Sequence, residues 1–246
     1  MYPSMDIPAI LLAILVGILQ GIFEWLPISS EGNLTILLTA LGQAPEQAVR
    51  YSLFLHIGTA TAAMGYFQQE LRELFGEIPD MFASFSATDD FWFLGVGTAV
   101  SGVVGLGAYS VLIEAVTKIE GALLVVFIGV LLIATGLFQL LSKSADEMQS
   151  KDPTILDAVI VGIGQGFAVL PGVSRSGTTV GLMLLRGYSG PDSFQLSFLL
   201  SIPAALGAGV LVLGDSGSIG QVTPLAGLTA LLVSALVGYA TIDALM

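Results

Sequence analysis

The sequence predicts an all-α polytopic membrane protein built of inverted repeats, each with a re-entrant helix hairpin and transmembrane helices. Composition is the first reason: 54% of the residues are hydrophobic and only 11% are charged, whereas a soluble domain carries about 25% charged residues. The second is a set of apolar stretches of nearly membrane-spanning length, and the third is an internal repeat at a spacing of 145 residues. We treat residues 1–246 as a single membrane domain.

The charge balance and the lack of cysteine exclude several other classes of protein. Lys and Arg total 7 against 19 Asp and Glu, a net charge of −12, so no basic patch can follow nucleic-acid phosphates. Disordered chains are polar and charge-rich, which this chain is not. With no cysteine in the sequence, disulfides, thiolate zinc sites and thiol catalysis are excluded.

The apolar stretches that can cross a membrane are identified in chain order. Met1–Asp6 contains no Lys or Arg, so no secretory signal is expected and the first apolar segment should stay in the mature protein. A helix that crosses a bilayer needs about 20 mostly apolar residues. Five stretches approach or exceed this length: Tyr51–Phe67, Phe91–Val116, Gly121–Leu141, Phe194–Leu213 and Val222–Leu245.

Two further apolar regions are interrupted. Ile7–Pro27 is followed by Asn33–Leu41, and Ile155–Leu170 is followed by Gly177–Leu185. In each region a break rich in Pro, Gly and Ser separates two segments, and the second segment is too short to cross. Irregular backbone at membrane depth is tolerated only where it lines a cavity or is buried in protein. We therefore predict two hairpins that enter and leave on one side; for the first, the alternative is that Ile7–Pro27 crosses alone.

The interrupted regions belong to an internal repeat, with repeat one at about residues 7–141 and repeat two at about 155–246. Residues 145 positions apart match in three patches: Gln20-Gly21 with Gln165-Gly166, Ser29 and Gly32 with Ser174 and Gly177, and Ser52–Ile57 with Ser197–Ile202. A hairpin and three spans give repeat one an odd number of crossings, which inverts repeat two. Folds of this kind place their site at the repeat interface, near the interrupted segments. Repeat two is one helix short by this count.

The positive charges predict an orientation in the membrane. In the hairpin topology four of them lie on one side and two on the other. The four are Arg72, Lys143, Lys151 and Arg186, and the two are Arg50 and Lys118. The positive-inside rule makes the first side cytoplasmic.

The first break, Gln20–Asn33, places polar side chains within an apolar stretch. Gln20 and Glu24 are four residues apart and therefore share one helix face. A carboxylate in a membrane helix costs about 2.5–3.5 kcal/mol on insertion scales, so Glu24 needs a partner or a water-filled cavity. We predict a functional role for Glu24; the alternative is a position in the headgroup region, with Trp25 as an interfacial anchor.

The second break, Pro171–Thr179, predicts an anion site. It leads into a helix whose N-terminal amides and dipole favour negative charge, and arginine can donate two hydrogen bonds at once to a phosphate. The groups expected to bind the phosphate are Gly172, Ser174, Arg175, Ser176, Thr178 and Thr179. The alternative is an arginine that reaches the membrane surface beside a capped helix.

The two breaks resemble the motifs of the undecaprenyl-diphosphate phosphatase family, the bacitracin-resistance integral membrane phosphatases. The family pattern is Glu/Gln-x-x-x-Glu running into Pro-x-Ser-Ser, followed at a distance by Pro-Gly-x-Ser-Arg-Ser-x-x-Thr. The matching segments here are Gln20–Glu24, Pro27–Ser30 and Pro171–Thr179. The resemblance covers nearly the whole chain.

The resemblance implies that the chain hydrolyses a long-chain polyprenyl diphosphate to the monophosphate and inorganic phosphate, which recycles the lipid carrier of cell-surface glycans. It also implies a multi-pass protein of the cell membrane, a site that opens outward, and a divalent cation, usually magnesium or calcium. A homodimer is a further expectation. The alternative function is an inverted-repeat transporter or flippase for an anionic polyprenyl phosphate.

The chain departs from the family pattern at several positions. Gln20 removes one charged metal ligand, and Asn33 stands where members commonly have a histidine, so it cannot act as a general acid or base. Glu31 either supplies the lost carboxylate function or is a solvated loop acid. The only histidine, His56, lies within an apolar stretch and is interpreted as a packing residue. The family also usually ends in one more hydrophobic helix.

The expected reaction is in-line phosphoryl transfer at the terminal phosphorus, which depends on positioning and on neutralising the equatorial oxygens. Arg175 holds the diphosphate, helped by Ser29 and the groups of the second break. Glu24, with Gln20, binds the cation or positions the attacking group, because hard cations prefer oxygen ligands. The nucleophile is either Ser30 or a water held by Glu24, and a serine route requires a nearby base.

Overall fold

The protein is helical throughout the computed structural model, which describes residues 8–84, 86–142, 152–214 and 222–246. Within these ranges it forms eleven helices and no strand. They are α1 (Ala9–Phe23), α2 (Ser30–Ala40), α3 (Pro45–Tyr66), α4 (Gln68–Gly76), α5 (Ile78–Ser84), α6 (Asp89–Val116), α7 (Gly121–Ser142), α8 (Ile155–Phe167), α9 (Arg175–Arg186), α10 (Gly190–Gly214) and α11 (Pro224–Leu245).

Four helices, α6, α7, α10 and α11, are long and apolar enough to cross a membrane. They coincide with four of the five predicted stretches, which confirms an all-α polytopic membrane protein. The fifth stretch lies in α3, whose 22 residues extend about 33 Å. This helix is less apolar because it carries Glu46 and Arg50, which pair at 3.0 Å, and much of it is buried among the other helices.

The two interrupted regions form pairs of short helices, α1–α2 and α8–α9. With 15 and 13 residues, α1 and α8 extend only about 20–22 Å, against a hydrocarbon core of about 30 Å, so α1 is too short to cross alone. The second helix of each pair, α2 or α9, begins after a serine that caps its N-terminus. Ser29 accepts a hydrogen bond from the amide of Gly32, and Ser174 accepts one from the amide of Gly177. Because serine caps satisfy helix N-termini, both breaks end in the same way.

Glycines bring each hairpin against a helix from the other half of the chain. A Cβ atom at Gly17 would lie 2.7 Å from a carbonyl oxygen of α11, and one at Gly162 would lie 2.8 Å from a carbonyl oxygen of α6. Gly21 and Gly166 make equally close contacts one turn further along. Small residues permit such close approach between membrane helices. The two pairs are 145 residues apart, which supports the internal repeat.

Some expectations about topology stay predictions. The inverted orientation of the halves, their boundaries and the missing final helix are expectations from the sequence. Of the charges used to predict orientation, Lys143 and Lys151 lie outside the described residues, as does Met1–Asp6 with its expected lack of a signal. The fold does bring the two breaks into contact, with α3 and α10 beside them.

Candidate active site

The two breaks meet in the protein interior. Arg175, the first residue of α9, donates from Nη2 to Oε1 of Glu24 at 2.7 Å, across 151 residues of sequence. Two more hydrogen bonds join the breaks: the amide of Gly172 donates to Ser29 Oγ at 3.1 Å, and Ser176 Oγ donates to a carbonyl of the first break at 3.0 Å. The carboxylate and the arginine singled out in separate parts of the sequence are therefore direct partners.

Glu24 is the centre of this cluster. Its Oε2 accepts hydrogen bonds from Gln20 Nε2 at 2.9 Å and from Ser30 Oγ at 2.7 Å, and His56 Nε2 lies 3.4 Å from the same oxygen. The glutamate side chain is only 3% exposed. Its polar partners compensate the cost of a carboxylate at membrane depth. The alternative headgroup position beside Trp25 is wrong, because Trp25 is itself buried.

The adjacent serines of the first break have different environments. The Ser30 hydroxyl points at Glu24, so the carboxylate is placed to accept its proton. Ser29 has a φ of 57°, in the left-handed region that side chains with a Cβ avoid. Its hydroxyl accepts from the amides of Gly32 at 3.2 Å and Gly172 at 3.1 Å. Ser29, predicted as a substrate ligand, thus ties the two breaks together and holds Ser30 in place.

Arg175 is held from three sides. Its Nη2 binds Glu24, its Nη1 lies 3.4 Å from the carbonyl oxygen of Ser197, and its guanidinium carbon lies 5.7 Å from the ring centre of Trp25. Its Nε is buried and donates to no protein group. The side chain is 12% exposed, so the alternative of an arginine reaching the membrane surface is wrong. A free donor remains for an anion.

The hydroxyls of the second break do not all face this point. Ser174 caps α9 and lines the cavity beside Arg175, whereas Ser176 binds the first break. Thr179 Oγ1 lies 2.6 Å from the hydroxyl of Ser197 on α10. Thr178 lines a separate apolar cavity between α7, α8 and α9, so the predicted convergence is wrong for Thr178. Neighbouring helix residues point about 100° apart, which separates the two threonines.

His56 lies in the cluster, a position that its interpretation as a packing residue did not predict. It lies on α3, with Nδ1 3.0 Å from the carbonyl oxygen of Ser52 and Nε2 toward Glu24. No family motif marks this position. The one available signal was that His56 lies in one of the three matching patches of the internal repeat. The other two patches contain residues of the breaks.

Contacts in the structure show what two other polar residues of the first break, Glu31 and Asn33, do. Glu31 is 4% exposed and its Oε1 accepts no hydrogen bond, so it is not a solvated loop acid. Asn33 donates from Nδ2 to the carbonyls of Ile28 at 2.7 Å and Ser29 at 2.9 Å. Asn33 therefore closes the loop, and Glu31 is the one that lines the site cavity.

The site cavity is small and polar, and it borders a larger one. The small cavity, of about 20 Å³, is lined by Glu24, Ser30, Glu31, His56 and Arg175 among others. The larger cavity has a volume of about 370 Å³ and shares Glu31, His56 and Arg175 with it. A ligand with a charged head and an apolar body matches this pair of spaces.

The donor set fits a divalent cation that is bound together with a phosphate. Within the described ranges no three His, Asp or Glu side chains group into a cage for a metal ion. Two buried oxygens, Glu31 Oε1 and Gln20 Oε1, accept no hydrogen bond, whereas both oxygens of Glu24 are engaged. Mg²⁺ is commonly bound by one or two carboxylates together with substrate phosphates, and these residues supply that number.

Comparisons with known proteins agree with this geometry. The family model described as "Bacitracin resistance protein BacA" matches residues 13–246. The chain belongs to this family. A Haloarcula marismortui protein named undecaprenyl-diphosphatase is 49% identical over 242 residues, which cover 96% of this chain and 88% of the relative. Proteins of the same name from Methanococcoides burtonii and Methanothrix thermoacetophila are 41% and 39% identical, covering 79% and 95% of this chain and 74% and 87% of the relatives. The family resemblance of the sequence is confirmed.

Proposed function

We propose that this chain hydrolyses a long-chain polyprenyl diphosphate, of the undecaprenyl type, to the monophosphate and inorganic phosphate, and so recycles the lipid carrier of cell-surface glycans. The observation that carries the proposal is the series Ser30–Glu24–Arg175, with hydrogen bonds of 2.7 Å on both sides of the carboxylate. The hydroxyl, carboxylate and guanidinium that we propose as nucleophile, base and phosphate ligand line one cavity. The names of the relatives support the lipid diphosphate as substrate.

Binding begins with the terminal phosphate at Arg175. In the free protein the guanidinium is paired with Glu24 and held over Trp25. An incoming phosphate competes with Glu24 for the guanidinium, and its oxygens match the planar fork of donors. The buried Nε, which has no protein partner, gains one in the complex. Transfer of Arg175 to the phosphate releases Oε1 of Glu24.

Chemistry follows at Ser30. Glu24 accepts the Ser30 proton at Oε2 while Ser30 Oγ forms a bond to the terminal phosphorus, and the bond from this phosphorus to the bridging oxygen breaks. The prenyl monophosphate leaves and takes the proton from Glu24. Water then attacks the phosphorus of the phosphoserine and gives a proton to Glu24, the bond from phosphorus to Ser30 Oγ breaks, and Glu24 returns this proton to Ser30 Oγ as inorganic phosphate is released. The alternative is direct attack by a water held on Glu24; we favour Ser30, because its hydroxyl already donates to that carboxylate.

A divalent cation, magnesium or calcium, forms part of the proposal. Glu24 and Gln20, the ligands expected from the sequence, would hold it together with Glu31, whose Oε1 is buried without a partner. When bound, the cation neutralises charge on the phosphate oxygens. The residues named above bind the lipid and move the protons.

The proposed setting is the cell membrane, with the site opening outward. The four apolar helices of spanning length support a multi-pass protein, and a diphosphate lipid carrier resides in a membrane. The outward opening comes from the family resemblance. A homodimer stays a prediction, which light scattering of the purified protein in detergent tests.

Phosphate release tests the proposal directly. The purified protein should release inorganic phosphate from undecaprenyl diphosphate, and Ser30→Ala should abolish that release. Ser110→Ala is the matched control, because the Ser110 hydroxyl is exposed on α6 and bonds only its own helix. Brief reaction with substrate labelled in the terminal phosphate should leave label on the wild-type protein and none on Ser30→Ala. A protein that moves the lipid across vesicles without releasing phosphate would be a transporter, and the proposal would fail.

A further inference from the structure

The larger cavity beside the active site has one polar end and mostly apolar walls. It lies among α3, α6, α8 and α10, and its polar end is the part shared with the active site. Away from that end the wall is built largely from residues with small or aliphatic side chains. They include Gly102, Gly105, Ala204, Gly207, Ala208 and Leu211.

The cavity opens toward the hydrocarbon of the membrane between α6 and α10. Leu106 and Val210, which line it, are 51% and 66% exposed, and Gly102 and Gly207 are exposed beside them. Both helices have the length and hydropathy of membrane spans, so these exposed apolar residues face lipid. A chain that leaves the cavity at this rim enters the bilayer without crossing water.

The donors of Gln165 and Ser101, two polar residues of the cavity wall, bond to groups inside the protein. Gln165 donates from Nε2 to Ser101 Oγ at 3.2 Å and to the carbonyl of Leu200 at 3.1 Å. Ser101 donates to the carbonyl of Thr98 at 3.1 Å. The donors of Gln165 and Ser101 are thus satisfied within the protein, and an apolar occupant leaves them so. Gln165 Oε1 is buried and accepts no hydrogen bond.

We propose that this cavity binds the isoprene units nearest the diphosphate and that the rest of the polyprenyl chain stays in the bilayer. The inference rests on the proposed function and adds which part of the lipid the protein recognises. If one carbon of the chain takes about the 30 Å³ of a water molecule, a cavity of about 370 Å³ holds roughly twelve carbons. That is two to three isoprene units, far fewer than an undecaprenyl chain contains.

This assignment predicts how activity depends on chain length. The ratio kcat/KM should rise by roughly tenfold or more from isopentenyl to farnesyl diphosphate, because each added unit buries apolar surface in the cavity. From geranylgeranyl to undecaprenyl diphosphate it should be flat, because further units lie in the lipid phase. All substrates are assayed in the same mixed micelles at one mole fraction. A rise that continues through undecaprenyl diphosphate, or no rise at all, overturns the proposal.

Two glycines of the rim allow the cavity to be filled. A Cβ atom at Gly102 or Gly207 meets no atom within 4 Å, so Gly102→Leu and Gly207→Leu fit sterically and reduce the cavity from two different helices. In each variant the farnesyl-to-isopentenyl ratio of kcat/KM should fall by roughly tenfold. Gly107→Leu is the matched control: Gly107 lies on α6, also has open space at its Cβ, and does not line the cavity.

The outcomes distinguish failure of the proposed function from failure of the cavity assignment. Wild-type protein that releases phosphate from none of these diphosphates defeats the proposed function. Wild-type protein that is active, with folded Gly102→Leu and Gly207→Leu variants that keep the ratio of the Gly107→Leu control, defeats only the cavity assignment. Melting temperatures in detergent identify the folded variants, and either rim variant alone suffices for the comparison.

Discussion

Replacing Arg175 with alanine tests both the stability and the chemistry of the site. In the protein the guanidinium donates at 2.7 Å to Glu24, whose side chain is 3% exposed. Removal of one partner of a buried ion pair costs about 3–5 kcal/mol, because the remaining charge is uncompensated. Ser30 and Gln20 still donate to the carboxylate, so we expect the lower end, a loss of about 3 kcal/mol in the free energy of unfolding.

In the Arg175→Ala variant, turnover should fall by more than the loss of folded protein explains. Loss of an electrostatic donor at a developing anion costs about 2.7–4 kcal/mol, or roughly 10²–10³ in kcat. Arg175→Lys restores a charge beside Glu24 but not the planar fork. It should therefore recover more of the stability than of the turnover. Unfolding in denaturant and phosphate release by the folded fraction measure the two effects separately.

A double variant isolates the ion pair. Arg175→Ala combined with Glu24→Gln removes both charges, so the double variant should be more stable than Arg175→Ala alone by about 1–3 kcal/mol. The turnover of the double variant should be at least as low as that of Arg175→Ala. Near-normal turnover in folded Arg175→Ala would refute the assignment of the phosphate site. A double variant no more stable than Arg175→Ala would refute the reasoning about the buried charge.

Five further substitutions, at four positions, test Glu24 and the polar residues near it in the first break and on α3. Glu24→Gln should reduce kcat about a thousandfold, as expected for a missing base, whereas Gln20→Ala removes one hydrogen bond to that base and should cost about tenfold; equal losses in phosphate release would show that the two act as one ligand set. His56→Ala should lower kcat about tenfold with little change in KM, and His56→Gln should recover part of the loss; wild-type kinetics in folded His56→Ala would make it a packing residue after all. Asn33→His loses one of two hydrogen bonds that close the first break, so unfolding should show a loss of about 1 kcal/mol without a gain in activity.

The sequence identifies the breaks and their central residues, but not how the side chains are directed. A carboxylate or a guanidinium in an apolar stretch costs free energy of membrane insertion, so Glu24 and Arg175 could be recognised from their positions in the sequence. His56 was not, because its proximity to Glu24 depends on how α3 packs against the first break, which no local pattern encodes. Thr178 was predictable in principle. Helical periodicity applied to α9 separates it from Thr179, whereas the motif treats the two as a unit.

The close glycine contacts between each hairpin and a helix of the other half of the chain change how sequence variants of this protein should be interpreted. Gly21 lies three residues before Glu24 and rests on α11, while Gly166 lies on α8, the helix that leads into the Arg175 break, and rests on α6. A methyl group at either position pushes a hairpin helix away from its support, and the displaced tip carries a reacting group with it. Such a variant would appear conservative and remote from any ligand, yet it would inactivate the enzyme by misaligning two halves that share one site.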